Sequence, residues 1–512
     1  MLVPTWGAVV GLVLLGGLAL LALVGTATGS WIRHNAAVRK TSYSMMITYA
    51  KLGNPKECLL IHCAVISSRQ QQRRRQTWTA SSPRPVIWGT HTLQLSCGNG
   101  TSTTCRRAGA ASPSPSIVEP PSSSVPPPPS CPGYFRHIDS DLSPWREAGG
   151  ITREAVERGR DLADFRLVVL GGRAYTSRRS GGPAGPLPRP RPGPGLFLNC
   201  GDMPVVRAAD FAANPSAAAP LFRYCKDNAT LDVLFPDWSF WGWPEVNIHP
   251  WAPFLDEAAR ENRRVPWTER QPYAYWKGNP DVSATRADLL RCNATGAVDW
   301  NARLFRQDWA AAERNGFPGS DPARQCAYRY KVYVEGRAWS VSEKYILACD
   351  SPVLLVDTSN RDFFSRGLVA GRHYWPVDAA RKCPAIKLAV DWGNAHPAGT
   401  ARMGAEGSGF AREELAMDNV YDYMLHVLTE YARLLCYKPT VPEKAVELCP
   451  ESLTCPAGGR AREFMMDSKE RYVADNESCT LPPPFTADEI EEMTLRDDDV
   501  RSEIRELEKQ SS

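Results

Sequence analysis

Three short words of the sequence hold residues whose types and spacing could do chemistry. Asp202 closes the run Leu196-Phe197-Leu198-Asn199-Cys200-Gly201-Asp202-Met203-Pro204, an apolar strand followed by a Gly-Asp turn. Sheets of α/β proteins gather ligands at the carboxyl ends of strands, so a carboxylate there could take a proton from a hydroxyl as general base. An aspartate in a turn is as readily a simple cap. Lys277, Gly278, Asn279 and Arg286 form the second word. The fork of a guanidinium suits a diphosphate, and it suits an exposed helix surface too. In the third, Gly336 to Lys344, a glycine turn leads through small residues into a helix. A backbone approaches phosphate in this way, and an ordinary capped helix reads the same. Phe235 to Asn279 adds rings: Trp238, Trp241, Trp243, Trp251, Trp267 and Trp276 are six of the 16 tryptophans in 45 positions. Such rings fill a core or line a cleft that stacks sugar, base or peptide. Trp238-Ser239-Phe240-Trp241-Gly242-Trp243 fits neither strand alternation nor a helical stripe, which predicts a loop displaying rings around a groove.

Together with Tyr275-Trp276-Lys277-Gly278-Asn279-Pro280, Glu335-Gly336-Arg337-Ala338-Trp339-Ser340-Val341-Ser342-Glu343-Lys344-Tyr345 and His373-Tyr374-Trp375-Pro376, this run resembles the CAP10/Rumi-like glycosyltransferases (glycosyltransferase family 90), particularly the plant branch. The resemblance covers residues 131–480 and implies a GT-B-like α/β fold, two Rossmann-like halves with a cleft between them. Residues 131–275 would be the acceptor half, 276–412 the nucleotide-sugar half and 413–480 a helical closure. The implied reaction is inverting and metal-independent, without a cofactor. It moves glucose or xylose from a UDP-sugar to a hydroxyl of a protein or polysaccharide. Asp202 falls on the catalytic base. Gly278, Asn279, Arg286, Arg337, Ser340, Ser342 and Lys344 fall on the donor site, and Asp141, Trp145, Trp238, Phe240, Trp241 and Trp243 on the acceptor wall. Ser342 stands where animal Rumi enzymes carry an arginine, and the Gly/Pro/Arg-rich stretch from Ser180 to Gly195 is shorter than in relatives. Both features feed an alternative, a catalytically degenerate, membrane-anchored carbohydrate-binding relative. Asp139-Ser-Asp141 spells the Asp-x-Asp of metal-dependent glycosyltransferases. Lying outside any nucleotide-binding strand, it reads as a chance match.

The surrounding chain must position these words. Its 512 residues suffice for two or three domains, and 43% hydrophobic content supports a large core. With 60 basic and 56 acidic residues, net charge +4, the surface should be mixed and no nucleic-acid partner is expected. Gly7 to Gly29 carries no charge and is long enough to cross a lipid bilayer, predicting an uncleaved signal anchor over residues 1–30. The catalytic part would then be lumenal, in the Golgi or endoplasmic reticulum, although Arg33, Arg39 and Lys40 run against the positive-inside rule. Residues 31–130, Pro/Ser-rich near their end, are expected to be a largely disordered stem. Fifteen scattered cysteines without zinc spacing predict disulfides, and Asn99, Asn228, Asn293 and Asn476 head N-glycosylation sequons. Thr152 should cap a helix running to about Ala163. Arg166–Leu170 and Arg173–Thr176 should pair through Gly171-Gly172. Helix 286–292, strand 327–334, helix 342–349 and strand 353–356 alternate, which argues for parallel sheets in α/β layers. Met417–Tyr437 reads as a long amphipathic helix. The acidic tail 481–512 reads as a solvated or loosely attached one.

Overall fold

The computed structural model describes residues 129–171, 173–178, 195–317, 319–469 and 478–511. The anchor and stem, Asn99, Asn476 and nearly all of the stretch from Ser180 to Gly195 lie outside the described residues. Among the described residues no helix is long and apolar enough to cross a membrane.

Strands β1 (Phe165–Leu170) and β2 (Arg173–Arg178) pair antiparallel across Gly171, whose φ of +60° a side chain would strain. Phe165, Leu167 and Val168 point this hairpin into the core. β3 (Leu196–Leu198) joins β1 antiparallel, and β4 (Leu221–Arg223) and β5 (Val233–Leu234) extend the sheet in parallel. The order is β11-β2-β1-β3-β4-β5. In this half β3-β4-β5 are parallel, as a Rossmann-like half requires, while β1, β2 and β11 are joined antiparallel. Short 3-10 turns, not a helix, cross from β3 to β4. Edge strand β11 (Val446–Leu448) arises from the segment expected to be a purely helical closure, laid along β2 at Tyr175. The helix capped by Thr152, whose side chain accepts from the Ala155 amide, ends at Arg158 instead of Ala163. Gly159 follows it and begins a turn.

The second sheet meets the parallel expectation. β6 (Gln271–Gly278), β7 (Ala302–Arg306), β8 (Tyr328–Tyr333), β9 (Val353–Val356) and β10 (Tyr374–Val377) run parallel in the order β10-β9-β8-β6-β7. Ala274, Trp276, Leu304 and Val332 pack with Ile386 and Val390 of the helix Lys382–Ala395. The strand order reverses between β6 and β8, and open α/β sheets bind ligands outside the carboxyl ends at such a reversal.

Disulfides brace the layers. Cys292–Cys383 ties the β6–β7 connection to the helix Lys382–Ala395, and Cys326–Cys349 brackets β8 with the helix after it. Cys131–Cys479 joins the two ends of the sheet-bearing region beside a Ser130–Thr480 bridge. The long helix (Met417–Leu434) presses Tyr431 edge-on against Phe222 of β4. The acidic tail is not loose. Its helix Ala487–Ser511 is moored by Glu489 to Arg136, Arg501 to Asp357 and Glu508 to Arg381, while Ile504 and Leu507 pack on the second core. Apolar residues among the charges give it a face to bury.

Candidate functional site

The carboxyl ends of β3, β4 and β5 converge. Asp202 lies four residues past β3 in a turn fixed on every side. The Cys200 amide donates to Asp164 (2.7 Å), and the amide of Gly201 to Asn199 Oδ1 (2.8 Å). Those of Val205 and Val206 donate to buried Asp232. Arg223, at the end of β4, donates to the Asn199 carbonyl, and the Cys225 thiol donates to the Asp202 carbonyl (3.2 Å). Asp202 itself reaches the surface. Loss of hydration nonetheless raises its carboxyl pKa above the ordinary aspartate value, opposed by the charges of Arg337 and Arg223. That combination keeps a carboxylate available as base while binding its proton more firmly than one in free water.

Beside this turn four rings pack together. Tyr224 meets Trp238 edge-on (5.2 Å between centroids) and Trp339 at 5.7 Å, and Trp238 meets Trp243 edge-on at 5.4 Å. The Tyr224 hydroxyl donates to Cys200 Sγ. Only part of the predicted ring-bearing wall is at the surface. Trp238 and Trp243 are partly accessible, whereas Phe240 and Trp241 are buried. The loop is a 3-10 turn, Trp238–Trp241, which sends the consecutive rings of Phe240 and Trp241 inward and leaves Trp238 at its outer end. There Trp241 donates its indole N–H to Tyr421 (2.9 Å). Trp145, also expected on the wall, is fully buried and donates to the Ala218 carbonyl. These three are core residues, not a surface that an acceptor could touch. Tyr224 and Trp339 were not singled out from the sequence. Trp339 stood inside a word already picked out, and Tyr224 directly follows an apolar strand.

Arg286 occupies the reversal between β6 and β8. Its Nε donates to the Glu335 carbonyl (2.9 Å), Nη2 to Val334 (3.2 Å) and Nη1 to Asn279 (3.5 Å), so one guanidinium spans both strand ends. A Cβ at Gly336 would stand 3.0 Å from the Trp339 carbonyl and 3.5 Å from Nη2, so glycine permits this approach. Asn279 caps the following turn by accepting from the Asp281 amide. The Ser340 and Ser342 hydroxyls bond to each other (2.9 Å). Lys344, predicted to face the donor, is buried instead. Its ammonium donates to Ser239 Oγ (2.5 Å) and lies 3.5 Å from Asp237, while Tyr345 donates to the Ser239 carbonyl. The reason is helical geometry: residues 344 and 345 lie on the inner face of the helix Ser342–Leu347, against the Trp238–Trp241 turn. Lys344 therefore connects the third word to the ring-bearing loop. The contacts of Trp339 with Tyr224 and Trp238, and the charge of Arg337 on Asp202, bring the strand ends of the two sheets to one place.

Asp141 is an internal counter-ion, not a wall residue. Arg366 grips it bidentately (2.8 Å to each oxygen) and Lys226 binds it at 3.0 Å. Asp139 pairs with Arg146, so the two carboxylates of Asp-x-Asp serve different partners. The one described cluster with metal-type ligands, Cys131, His426 and Cys479, has both sulfurs in a disulfide. Asn228 is exposed. The Asn293 amide exchanges two hydrogen bonds with the main chain of Leu304 (2.8 and 2.7 Å).

Residues 127–181 and 192–508 match the model of Glycosyl transferase family 90, and the chain belongs to that family. It is similar to O-glucosyltransferase rumi of Drosophila melanogaster, 23% identical over 345 residues, which cover 63% of this chain and 82% of the relative. It is also similar to Protein O-glucosyltransferase 1 of Homo sapiens, 26% identical over 350 residues (63% and 86%). With Protein O-glucosyltransferase 2 of Danio rerio it is 24% identical over 254 residues, 48% of either chain.

Proposed function

We propose that this member of the family is an inverting, metal-independent transferase that moves glucose or xylose from a UDP-sugar to a hydroxyl of a protein or polysaccharide in the secretory pathway. The observation carrying this is Asp202 outside the carboxyl end of β3, within the field of Arg337, a residue of the loop after β8 that also receives Arg286. In this reading Asp202 takes the acceptor proton. The diphosphate lies at the β6/β8 reversal against Arg286, Arg337 and the Ser340–Ser342 turn, and the sugar lies between, in a GT-B arrangement. Trp238 and Trp243 orient the acceptor. Attack opposite a departing UDP inverts the anomeric centre in one displacement. Residues 7–29 would anchor the chain in the Golgi or endoplasmic reticulum membrane.

A screen of UDP-sugars for slow hydrolysis by the purified chain tests the reading. One donor should turn over, and Asp202→Asn should lower the rate by about 10²–10⁴. The wild-type rate should fall on acidification through a pKa above the ordinary aspartate value, since the base form is lost there. Undiminished hydrolysis in the variant overturns the assignment of Asp202. The second reading, a non-catalytic carbohydrate binder, is favoured by Ser342, bonded to Ser340 where the resemblance implies an arginine. Stabilisation by UDP-sugar without any turnover would select it.

A further inference from the structure

A cavity of about 410 Å³ lies on the opposite face of β6 from Arg286. Side chains alternate along a strand, so Trp276, over which Arg286 lies, faces one way while Tyr275 and Lys277 face the other. The cavity floor is half-buried Tyr328, stacked on buried Tyr275 with centroids 4.3 Å apart. Phe305 forms a wall 5.6 Å from Tyr275 and is 44% exposed. Lys277, Arg306 and Arg324 stand around the rim with one carboxylate, Asp321, among them. The Lys277 ammonium binds the Gly319 carbonyl. Arg306 and Arg324 hold Asp281 and Asp321 in solvent-exposed pairs that a ligand can exchange at little cost. Lys331, adjacent to Tyr275 in the sheet register, is fully buried 5.1 Å from that ring's centroid. Its ammonium has no hydrogen-bond partner among the described residues.

The geometry points to this cavity as an accessory saccharide site that takes an acidic sugar, one bearing carboxylate or sulfate, apart from the reacting centre. Flat rings accept the C–H face of a pyranose, and the cations supply charge complementarity. A cavity of this size accepts a small ligand, and Phe305 leaves much of its ring open to it beside the cations of the rim. A nucleotide fits less well, because the glycine turn and the guanidinium suited to a diphosphate lie on the other face. The inference rests on family membership, not on the role given to Asp202.

Isothermal titration of the full chain with trigalacturonate, a sulfated heparin disaccharide, cellotriose and UDP tests it. At least one acidic probe should bind, and about tenfold more tightly than cellotriose. Binding should weaken as salt rises from about 0.05 to about 0.5 M. Phe305→Ser and Arg324→Gln, both at solvent-exposed side chains, should each weaken binding about tenfold and leave UDP-sugar hydrolysis unchanged. The acidic probe that binds identifies the charged group. The inference is overturned by equal binding of cellotriose, displacement of the acidic probe by UDP, no binding at millimolar concentration, or undiminished binding in both variants. A chain that hydrolyses no UDP-sugar yet passes this titration would sink the catalytic proposal alone.

Discussion

Replacing Asp141 by asparagine takes one negative charge from a site where it faces two positive ones. Its carboxylate is 3% exposed, with both oxygens on Arg366 and one also on Lys226. Burial alone would raise its pKa, but the charges of Arg366 and Lys226 outweigh burial and hold it at about 2. Against 3.8 in the unfolded chain, that difference is worth about 2 kcal/mol of stability at neutral pH. The asparagine also leaves two largely buried cations without a counter-charge, and breaking a buried pair costs about 3–5 kcal/mol. Urea unfolding at pH 7 should therefore show the variant about 3–5 kcal/mol less stable. The sign of the pH dependence follows from the depressed folded pKa. Asp141 stabilises fully above its unfolded pKa, so the gap between wild type and variant should narrow as pH falls from 4 towards 2. Neighbouring His137, held neutral to about pH 4 by burial and by Arg366, is pulled back up by the Asp141 charge, so it does not cancel and offsets part of the narrowing below pH 4. A gap below about 1 kcal/mol at pH 7, or one constant with pH, would refute the internal ion-pair account. Manganese that stabilises the wild type but not the variant would restore the metal-site interpretation.

Arg286→Lys replaces a fork that touches three carbonyls with a point charge. Donor affinity should fall about tenfold and unfolding stability by about 2 kcal/mol; unchanged UDP-sugar affinity by calorimetry would place the donor elsewhere. Lys344→Met keeps the stem but leaves Asp237 buried without its cation, at a cost of about 3–5 kcal/mol in denaturant unfolding. Stability within about 1 kcal/mol of wild type would mean that the Trp238–Trp241 turn is held by packing alone.

What the sequence could and could not reveal follows from the range of the forces involved. β1, β2 and the turn at Gly171 were legible because two short runs and a glycine pair encode a hairpin locally. The alternation from residue 286 to 356 likewise reports the parallel sheet, since each strand and helix carries its own period. β11 was not legible. Its three residues form a strand only because β2 offers an unpaired edge, a contact separated by about 270 residues that no local pattern records. Lys344 and Asp141 misled for the same reason. A charged side chain in a suggestive word reads as ligand-facing, and only the fold shows that Asp237 or Arg366 claims it first. The ring-bearing loop was half legible. Its composition announced many aromatic rings in little space, but only the 3-10 winding sends Phe240 and Trp241 to the core, and the turn at Gly242 then leaves Trp243 partly accessible like Trp238. The words that survive as candidates are therefore those whose main chain, not side chain, carries the constraint. The Asp202 turn is built on Asp164, Asp232 and Cys225, and the Gly336 turn must admit Arg286. In the first of these turns the main-chain bonds leave the Asp202 carboxyl at the surface, where the proposed reaction would need it.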